Sequence, residues 1–301
     1  MALITSQTSP GRGIIYIVTG QQYVDEAKRS ATSAKICMPE IPITIFSDIP
    51  VSLELFDQVV PIENPTHGPE DKILHIGRSP YEETLYLDSD TYVTDDCREL
   101  FLLLKQFDLA ASHATYRAQY QVSQVPDCFP EFNAGIILFK KTEKIDALFE
   151  QWARFYNEDR LKPVSWLLPD DSSWYRGSIP NQPSLRRAIY GSSLRMATLP
   201  AEYNCRLSFP GFVHAKVKII HGRAQSLEKV SEKLNGTTLP RVHVMRWGRL
   251  RILDSAMPAG KSMLARTRWL LHNLGVLHTA RTTIEKLTQV CGNFLSKLTH
   301  S

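Results

Sequence analysis

The stretch "TLYLDSDTYV", residues 84–93, ends an apolar run on two aspartates separated by one serine. Thr84, Leu85, Tyr86 and Leu87 read as a buried strand, since β-branched and aromatic residues in an unbroken apolar run suit the middle of a sheet. Asp88 and Asp90 then stand where that strand leaves the sheet. In an extended segment side chains two apart point the same way, so both carboxylates can face one site. Two like charges that close repel each other unless a cation or a proton lies between them. A solvated strand end explains the pair, and so does a metal ion. Carboxylate oxygens suit Mn²⁺ or Mg²⁺, to which a diphosphate can add further oxygen ligands.

The neighbouring segments set the frame. "GIIYIVTG" (13–20), "PITIFSD" (42–48), "FDQVVPI" (56–62), "DLAASH" (108–113) and "EFNAGIILFKK" (131–141) read as strands. "YVDEAKRSATSAK", "DKILHIGRS" (71–79) and "CRELFLLLKQF" (97–107) read as helices between them. A further helix, "TEKIDALFEQWARFYNED", carries an apolar stripe of Ile145, Leu148, Phe149, Trp152 and Phe155. Strands apolar on both faces, alternating with helices, predict an α/β fold with a mainly parallel sheet flanked by helices. Ligands of such sheets gather beyond the carboxyl ends of the strands. Thr19 with Gly20, Asp48, and Asp88 with Asp90 stand at three such ends and predict one crevice. No GxGxxG or Walker sequence is present, which argues against a dinucleotide or P-loop site.

The 301 residues are 43% hydrophobic and 22% charged, an ordinary globular balance. No apolar run is long enough for a membrane span, and the first residues do not read as a secretory signal. Five scattered cysteines without a CxxC pair suit reduced thiols, so the expected location is cytoplasmic. Charge divides the chain. Residues 1–240 carry 25 basic against 29 acidic side chains, whereas residues 241–301 carry 10 against 2. A catalytic domain over 1–240 and a basic, partly helical C-terminal extension over 241–301 are the expected organisation. Trp269, Leu270, Leu271, Leu274, Leu277 and Leu287 in that extension suit an amphipathic helix. Such a helix packs back on the domain or lies on an anionic inner membrane surface as a peripheral contact. No nucleic-acid-binding module accompanies the charge.

In chain order, "KILHIGRSPYEETLYLDSD", "FNAGIILF", "NQPSLRRAI", "LPAEYN" and "KIIHG" resemble the retaining glycosyltransferases of the family that includes glycogenin and the bacterial lipopolysaccharide galactosyltransferases. The resemblance covers roughly residues 14–225 and implies the GT-A fold, a nucleotide-sugar donor of the UDP-linked kind, and a bound Mn²⁺ or Mg²⁺. It implies Asp88, Asp90 and His221 as metal ligands, with Asp88 also serving the donor. Lys72 takes the place of a lysine that neutralises the same site. Tyr23 matches a uracil-stacking tyrosine, and Thr19 lies where base or ribose would touch. Asn133 matches an asparagine on the donor sugar, and the small Ala134 and Gly135 beside it suit close approach of a ligand to the backbone. Gln182 matches the residue near the anomeric carbon. The implied acceptor is a glycan, a lipid-linked glycan or a protein.

Two departures stand out. Asn181 replaces the family's usual aspartate; an amide can still hydrogen-bond a sugar hydroxyl but cannot act as base or nucleophile. After His221 the family's diphosphate-binding "KPW"-like residues are missing, and Arg223 is the candidate substitute, ahead of Lys229. Asp170 and Asp171 are candidate carboxylates from the preceding loop, and the acceptor is expected on loops 113–130 and 160–178. Two other readings remain: a nucleotide-sugar-binding protein without transfer, and a metal-dependent phosphoesterase or nucleotidyltransferase on the same three ligands.

Overall fold

Alternate residues of the first strand belong to different cores. In β1 (Arg12–Val18), Ile14, Tyr16 and Val18 enter one buried cluster and Ile15 and Ile17 another. A period of two with both sets apolar is what a sheet covered on both faces requires. The computed structural model describes residues 11–114, 122, 124–162, 179–246, 248–254 and 271.

Beside β1 lie β2 (Ile43–Ser47), β3 (Gln58–Pro61) and β4 (Glu83–Leu87). The short β5 (Thr91–Val93) leaves this sheet, which continues with β6 (Leu109–His113), β7 (Phe132–Lys140) and β8 (Met196–Thr198). The order is β3-β2-β1-β4-β7-β6-β8. All pairings are parallel except the two made by β7, which runs antiparallel to β4 and β6. The expected mainly parallel sheet is therefore present, with one reversed strand next to its centre.

Helix α1 (Gln21–Cys37) and the 3-10 segment Arg98–Lys105 cover one face through Val24, Ala27, Ala31, Ala34, Leu100, Phe101 and Leu104. The run 97–107 therefore coils as expected, but with the tighter 3-10 winding. The other face is covered by α2 (Pro69–His75), α3 (Glu143–Arg160) and α4 (Gln182–Tyr190). Thr142 caps α3, its hydroxyl accepting from the Ile145 amide. The buried stripe of α3 is Ile145, Leu148, Phe149, Trp152 and Tyr156. Tyr156 joins this buried stripe, while the expected Phe155 packs half-buried at its edge with the Arg187 guanidinium 3.8 Å from its ring centre. A step of four from Trp152 follows the helical turn more closely than a step of three when the stripe is narrow.

A small sheet, ordered β5-β11-β9, is built from β5, β9 (Cys205–Arg206) and β11 (Ile219–His221). Another joins β10 (Gly211–Val213) to the hairpin β12 (Arg241–Arg246) and β13 (Arg249–Asp254). Helix α5 (Leu227–Asn235) closes a third core over Leu207, Val213, Val217, Ile220 and Leu250. The change of charge at residue 240 thus falls just before a strand that hydrogen-bonds back to β10. Past 254 only Leu271 is described, so the expected amphipathic helices lie outside the described residues. Among the described residues, no helix is long and apolar enough to cross a membrane.

His243 on β12 is 1% exposed, with its Nε2 3.3 Å from the Cys205 Sγ. Burial, helped by the charge of Arg241, pushes its pKa down to about 4. A histidine held neutral by the fold contributes fully above its unfolded pKa and loses that contribution as the pH falls. Wild-type stability is therefore expected to decline between about pH 6.5 and pH 4, this residue accounting for roughly 3 kcal/mol at most. Urea unfolding at pH 7 and pH 5 checks this, and His243→Gln is expected to flatten the slope.

Candidate functional site

Residues 88–90 are not an extended continuation of β4. The Thr91 amide and hydroxyl both donate to the Asp88 carbonyl, at 3.2 and 2.8 Å, closing a tight turn. The two aspartates converge by this turn, rather than by strand alternation. Serines on α1 hold it in place. The Ser30 hydroxyl lies 2.7 Å from that of Thr91, and the Ser33 hydroxyl accepts from the Val93 amide at 2.9 Å.

The turn carries the chain from the large sheet into β5, and β5 pairs antiparallel with β11 so that His221 stands opposite Thr91. The Gly222 amide adds a bond to the Asp90 carbonyl at 2.9 Å, from a left-handed backbone with φ 130° that suits glycine. His221 Nε2 consequently lies 3.4 Å from an Asp90 oxygen and 3.7 Å from an Asp88 oxygen. One ligand atom from each of Asp88, Asp90 and His221 falls within 4.8 Å of the others, close enough for a single metal ion to bind all three.

Gly135 on β7 lies directly behind this group. A Cβ there would overlap the His221 ring and the Asp88 carboxylate. The expected close approach to this backbone is real, but the groups that approach are the protein's own ligands.

Cations balance the carboxylates. Lys72 Nζ donates to Asp88 Oδ1 at 2.6 Å and to the Ala134 carbonyl at 3.0 Å. The Tyr86 hydroxyl donates to the same Asp88 oxygen at 2.5 Å. Burial disfavours charge on Asp90, but His221, Arg223 and Lys72 outweigh it and lower its pKa to about 2. Arg206, on the strand beside His221, faces the same charges; burial lowers its pKa while Asp88, Asp90 and Glu131 counteract.

A cleft of about 380 Å³ opens in front of these ligands, a size within the usual range for small-molecule sites. Thr19, Tyr23, Lys72, Asp88, Asp90, His221 and Arg223 all line it. The Tyr23 ring is 43% exposed at the rim. The Thr19 hydroxyl donates to Asp71 at 2.8 Å and keeps lone pairs for a ligand. Burial opposes charge on Asp71, but bonds from Thr66, Thr19 and His67 prevail and lower its pKa. Arg223 is forked onto Glu26, at 2.6 and 2.8 Å, with a further nitrogen 3.5 Å from Asp90. Its guanidinium lies 5.8 Å from the Tyr23 ring centre.

The expected sugar-side residues sit deeper. Asn133 is 3% exposed and bonds Gln182, Asn204 and the Gly135 amide. Gln182 opens α4, and the Asn181 carbonyl before it accepts from Trp152 and Ser184. Neither Gln182 nor Asn181 lines the cleft in front of Asp88, Asp90 and His221. Asp170 and Asp171, most of loop 160–178, and residues 115–121 and 123 lie outside the described residues. Sequence reasoning missed Glu26, Asp71, Tyr86, Glu131, Asn204 and Arg206. Tyr86 and Asn204 stood inside quoted motifs, "TLYLDSD" and "LPAEYN", but nothing local showed which way they face. Glu26 looks like any helix-surface acid until α1 packs it at 8% exposure.

No family model matches this sequence, and no curated protein does. Among solved structures the chain is similar to the glycosyltransferase GlyE of Streptococcus pneumoniae TIGR4. The TM-score is 0.50 at 15% identity, covering 75% of this chain and 61% of that one. The chain thus spans less than two thirds of GlyE. Weaker likenesses are to galactosyltransferase LgtC, solved with donor and acceptor sugar analogs (TM-score 0.48, 14% identity, 75% and 96% coverage). Mouse xyloside xylosyltransferase 1 follows (0.44, 12% identity, 71% and 98%). The likeness to GlyE, at this identity, shows the fold alone: this is the GT-A glycosyltransferase fold.

Gly135→Ala is expected to cost about 1–3 kcal/mol of stability through overpacking. By displacing His221 and Asp88 it should also weaken any divalent cation held by the Asp88–Asp90–His221 group at least about tenfold. Urea unfolding and Mn²⁺ titration followed by electron paramagnetic resonance measure the two effects separately.

Proposed function

We propose that this protein is a divalent-metal-dependent glycosyltransferase that moves a sugar from a UDP-sugar to an acceptor hydroxyl. The observation that carries the reading is the convergence of Asp88, Asp90 and His221 at the head of a cleft beyond the carboxyl ends of β1 and β4. Two carboxylates and one imidazole suit Mn²⁺, with Mg²⁺ the alternative. Such an ion supplies Lewis-acid stabilisation of the negative charge on a departing diphosphate.

The chain's own groups fit the rest of the task. Lys72 offsets the charge of Asp88 and so keeps the pair tolerable before any cation binds. Tyr23, exposed at the rim, offers a flat face to a uracil base, and Thr19 offers a hydroxyl oxygen beside it. Arg223 binds the diphosphate by exchanging part of its Glu26 fork for phosphate oxygens, a geometry guanidinium matches well. Gln182 and Asn181, which lie beyond the lining of the cleft, are assigned to the donor sugar, with Asn133 bonding Gln182. Transfer proceeds with retention, the leaving phosphate taking the acceptor proton. The acceptor is a glycan, a lipid-linked glycan or a protein side chain.

Mn²⁺ together with one UDP-sugar is expected to raise the melting temperature well above either alone, and Asp90→Ala to abolish the rise. A panel of UDP-, GDP- and CMP-sugars, with EDTA as control, identifies the donor. Donor binding with neither transfer nor hydrolysis would favour a binding protein, the outcome that Asn181 makes worth testing. Hydrolysis of phosphoesters without donor selectivity would favour a phosphoesterase. An inverted anomer in the product would refute retention.

A further inference from the structure

Behind the metal-facing side chains a single line of hydrogen bonds crosses the protein. His221 Nδ1 lies 2.9 Å from Asn204 Oδ1. Asn204 Nδ2 donates to Asn133 Oδ1 at 2.8 Å, and Asn133 Nδ2 donates to Gln182 Oε1 at 2.7 Å. Gln182 Nε2 then donates to Glu131 Oε1 at 3.0 Å. The members come from β11, the turn before β9, β7, the first turn of α4 and the residue preceding β7. His221, Asn204, Asn133 and Glu131 are 7%, 4%, 3% and 4% exposed, so water does not compete for the bonds from His221 to Asn133, while Gln182 is half-buried.

A lone amide can be turned either way, but this series has one direction. The Gly135 backbone N–H, which can only donate, points at Asn133 Oδ1 from 3.2 Å. That atom is therefore an oxygen, and Asn204 must reach it with its NH₂ group. The carbonyl oxygen of Asn204 is then left for His221, and an amide oxygen only accepts. His221 must carry its proton on Nδ1. Nε2, the nitrogen beside Asp88 and Asp90, is the one available to a metal. From Asn133 the same logic runs outward: its NH₂ meets the Gln182 oxygen, and the Gln182 NH₂ meets a carboxylate, which accepts. Both ends of the line agree.

We propose that Asn204 is a positioning residue with two tasks. It sets the His221 tautomer that binds metal, and through Asn133 it holds the Gln182 amide in place. One buried asparagine thereby ties the metal ligand to the residue assigned to the donor sugar. The proposal rests on the glycosyltransferase reading for the meaning of those two ends, but not for the direction of the bonds. Asn204→Leu removes both tasks. Asn204→Asp keeps an acceptor for the Nδ1 proton and loses the donor to Asn133, so it separates them.

The first readout is ¹⁵N NMR of the metal-free protein, at a pH where the His221 ring is neutral. Wild type and Asn204→Asp are expected to show the Nδ1-protonated tautomer, and Asn204→Leu to shift toward the Nε2-protonated one. The second is Mn²⁺ affinity by electron paramagnetic resonance. Asn204→Leu is expected to bind about tenfold to a hundredfold more weakly, and Asn204→Asp to stay near wild type. The third is the side-chain amide signal of Gln182, expected sharp in wild type and broadened in both variants. Unchanged tautomer and Mn²⁺ affinity in a folded Asn204→Leu would overturn the first task. A Gln182 signal unchanged in Asn204→Asp would overturn the second, and that variant serves if the leucine variant does not fold. Wild-type protein that binds no Mn²⁺ would instead overturn the metal reading, while the tautomer result still decides the role of Asn204.

Discussion

The antiparallel pairing of β5 with β11 is the constraint on which the candidate site depends. It is short, three residues on each side, yet its register places His221 opposite Thr91 and thus next to the Asp88–Asp90 turn. A slip of one residue would turn His221 to the other face of the small sheet. The register is held by more than the ladder itself. Ser30 and Ser33 on α1 grip β5 from one side; the Gly222 amide, just past β11, donates to the Asp90 carbonyl ahead of β5, and the Leu207 amide donates to the His221 carbonyl that ends β11. Helix α1 can come that close because its inner face is alanine and serine, with Ala27, Ala31 and Ala34 fully buried.

Electrostatics make the second constraint. Asp88 and Asp90 share a small space, and burial raises the cost of their charge. Lys72 and Tyr86 take one oxygen of Asp88, leaving the other toward His221. Arg223 and His221 attend Asp90, while Glu26 holds Arg223 in its turn. The result is a concentrated site of both signs, in which a cation and a diphosphate would together add little net charge. A site of that kind favours bound pairs of opposite charge over either ion alone, which fits a metal–nucleotide complex better than a bare anion or a bare sugar.

The reversed strand β7 links the Asp88–Asp90–His221 group to Gln182. Asn133 and Gly135, two apart on one strand, turn to the same side, where Gly135 makes room for His221 and Asp88 and Asn133 bonds Gln182 and Asn204. The "FNAG" stretch is thus compact for a packing reason: one residue must have no side chain, and its neighbour must donate and accept at once. The side-chain amides of Asn133, Asn204 and Gln182 are each hydrogen-bonded at both their oxygen and their nitrogen within the protein.

Much of the architecture was legible from residues alone. The unbroken apolar runs of β1, β2, β4 and β7 read as buried strands because they are short, rich in β-branched and aromatic residues, and bounded by turn residues. The aspartates at the end of β4 were legible as a candidate cation site for the same reason, since charge must wait until a buried strand ends. The tertiary structure alone decided the rest. That β7 runs antiparallel, that residues 88–90 turn, and that Tyr156 is buried more deeply than Phe155 depend on neighbours far away in the chain. So does the role of Asn204, 71 residues from Asn133 and 17 from His221, in joining them. Hydrophobic periodicity is a local property and can be read along the chain. Hydrogen-bond direction and strand register are set between distant segments, and only the fold brings those segments together.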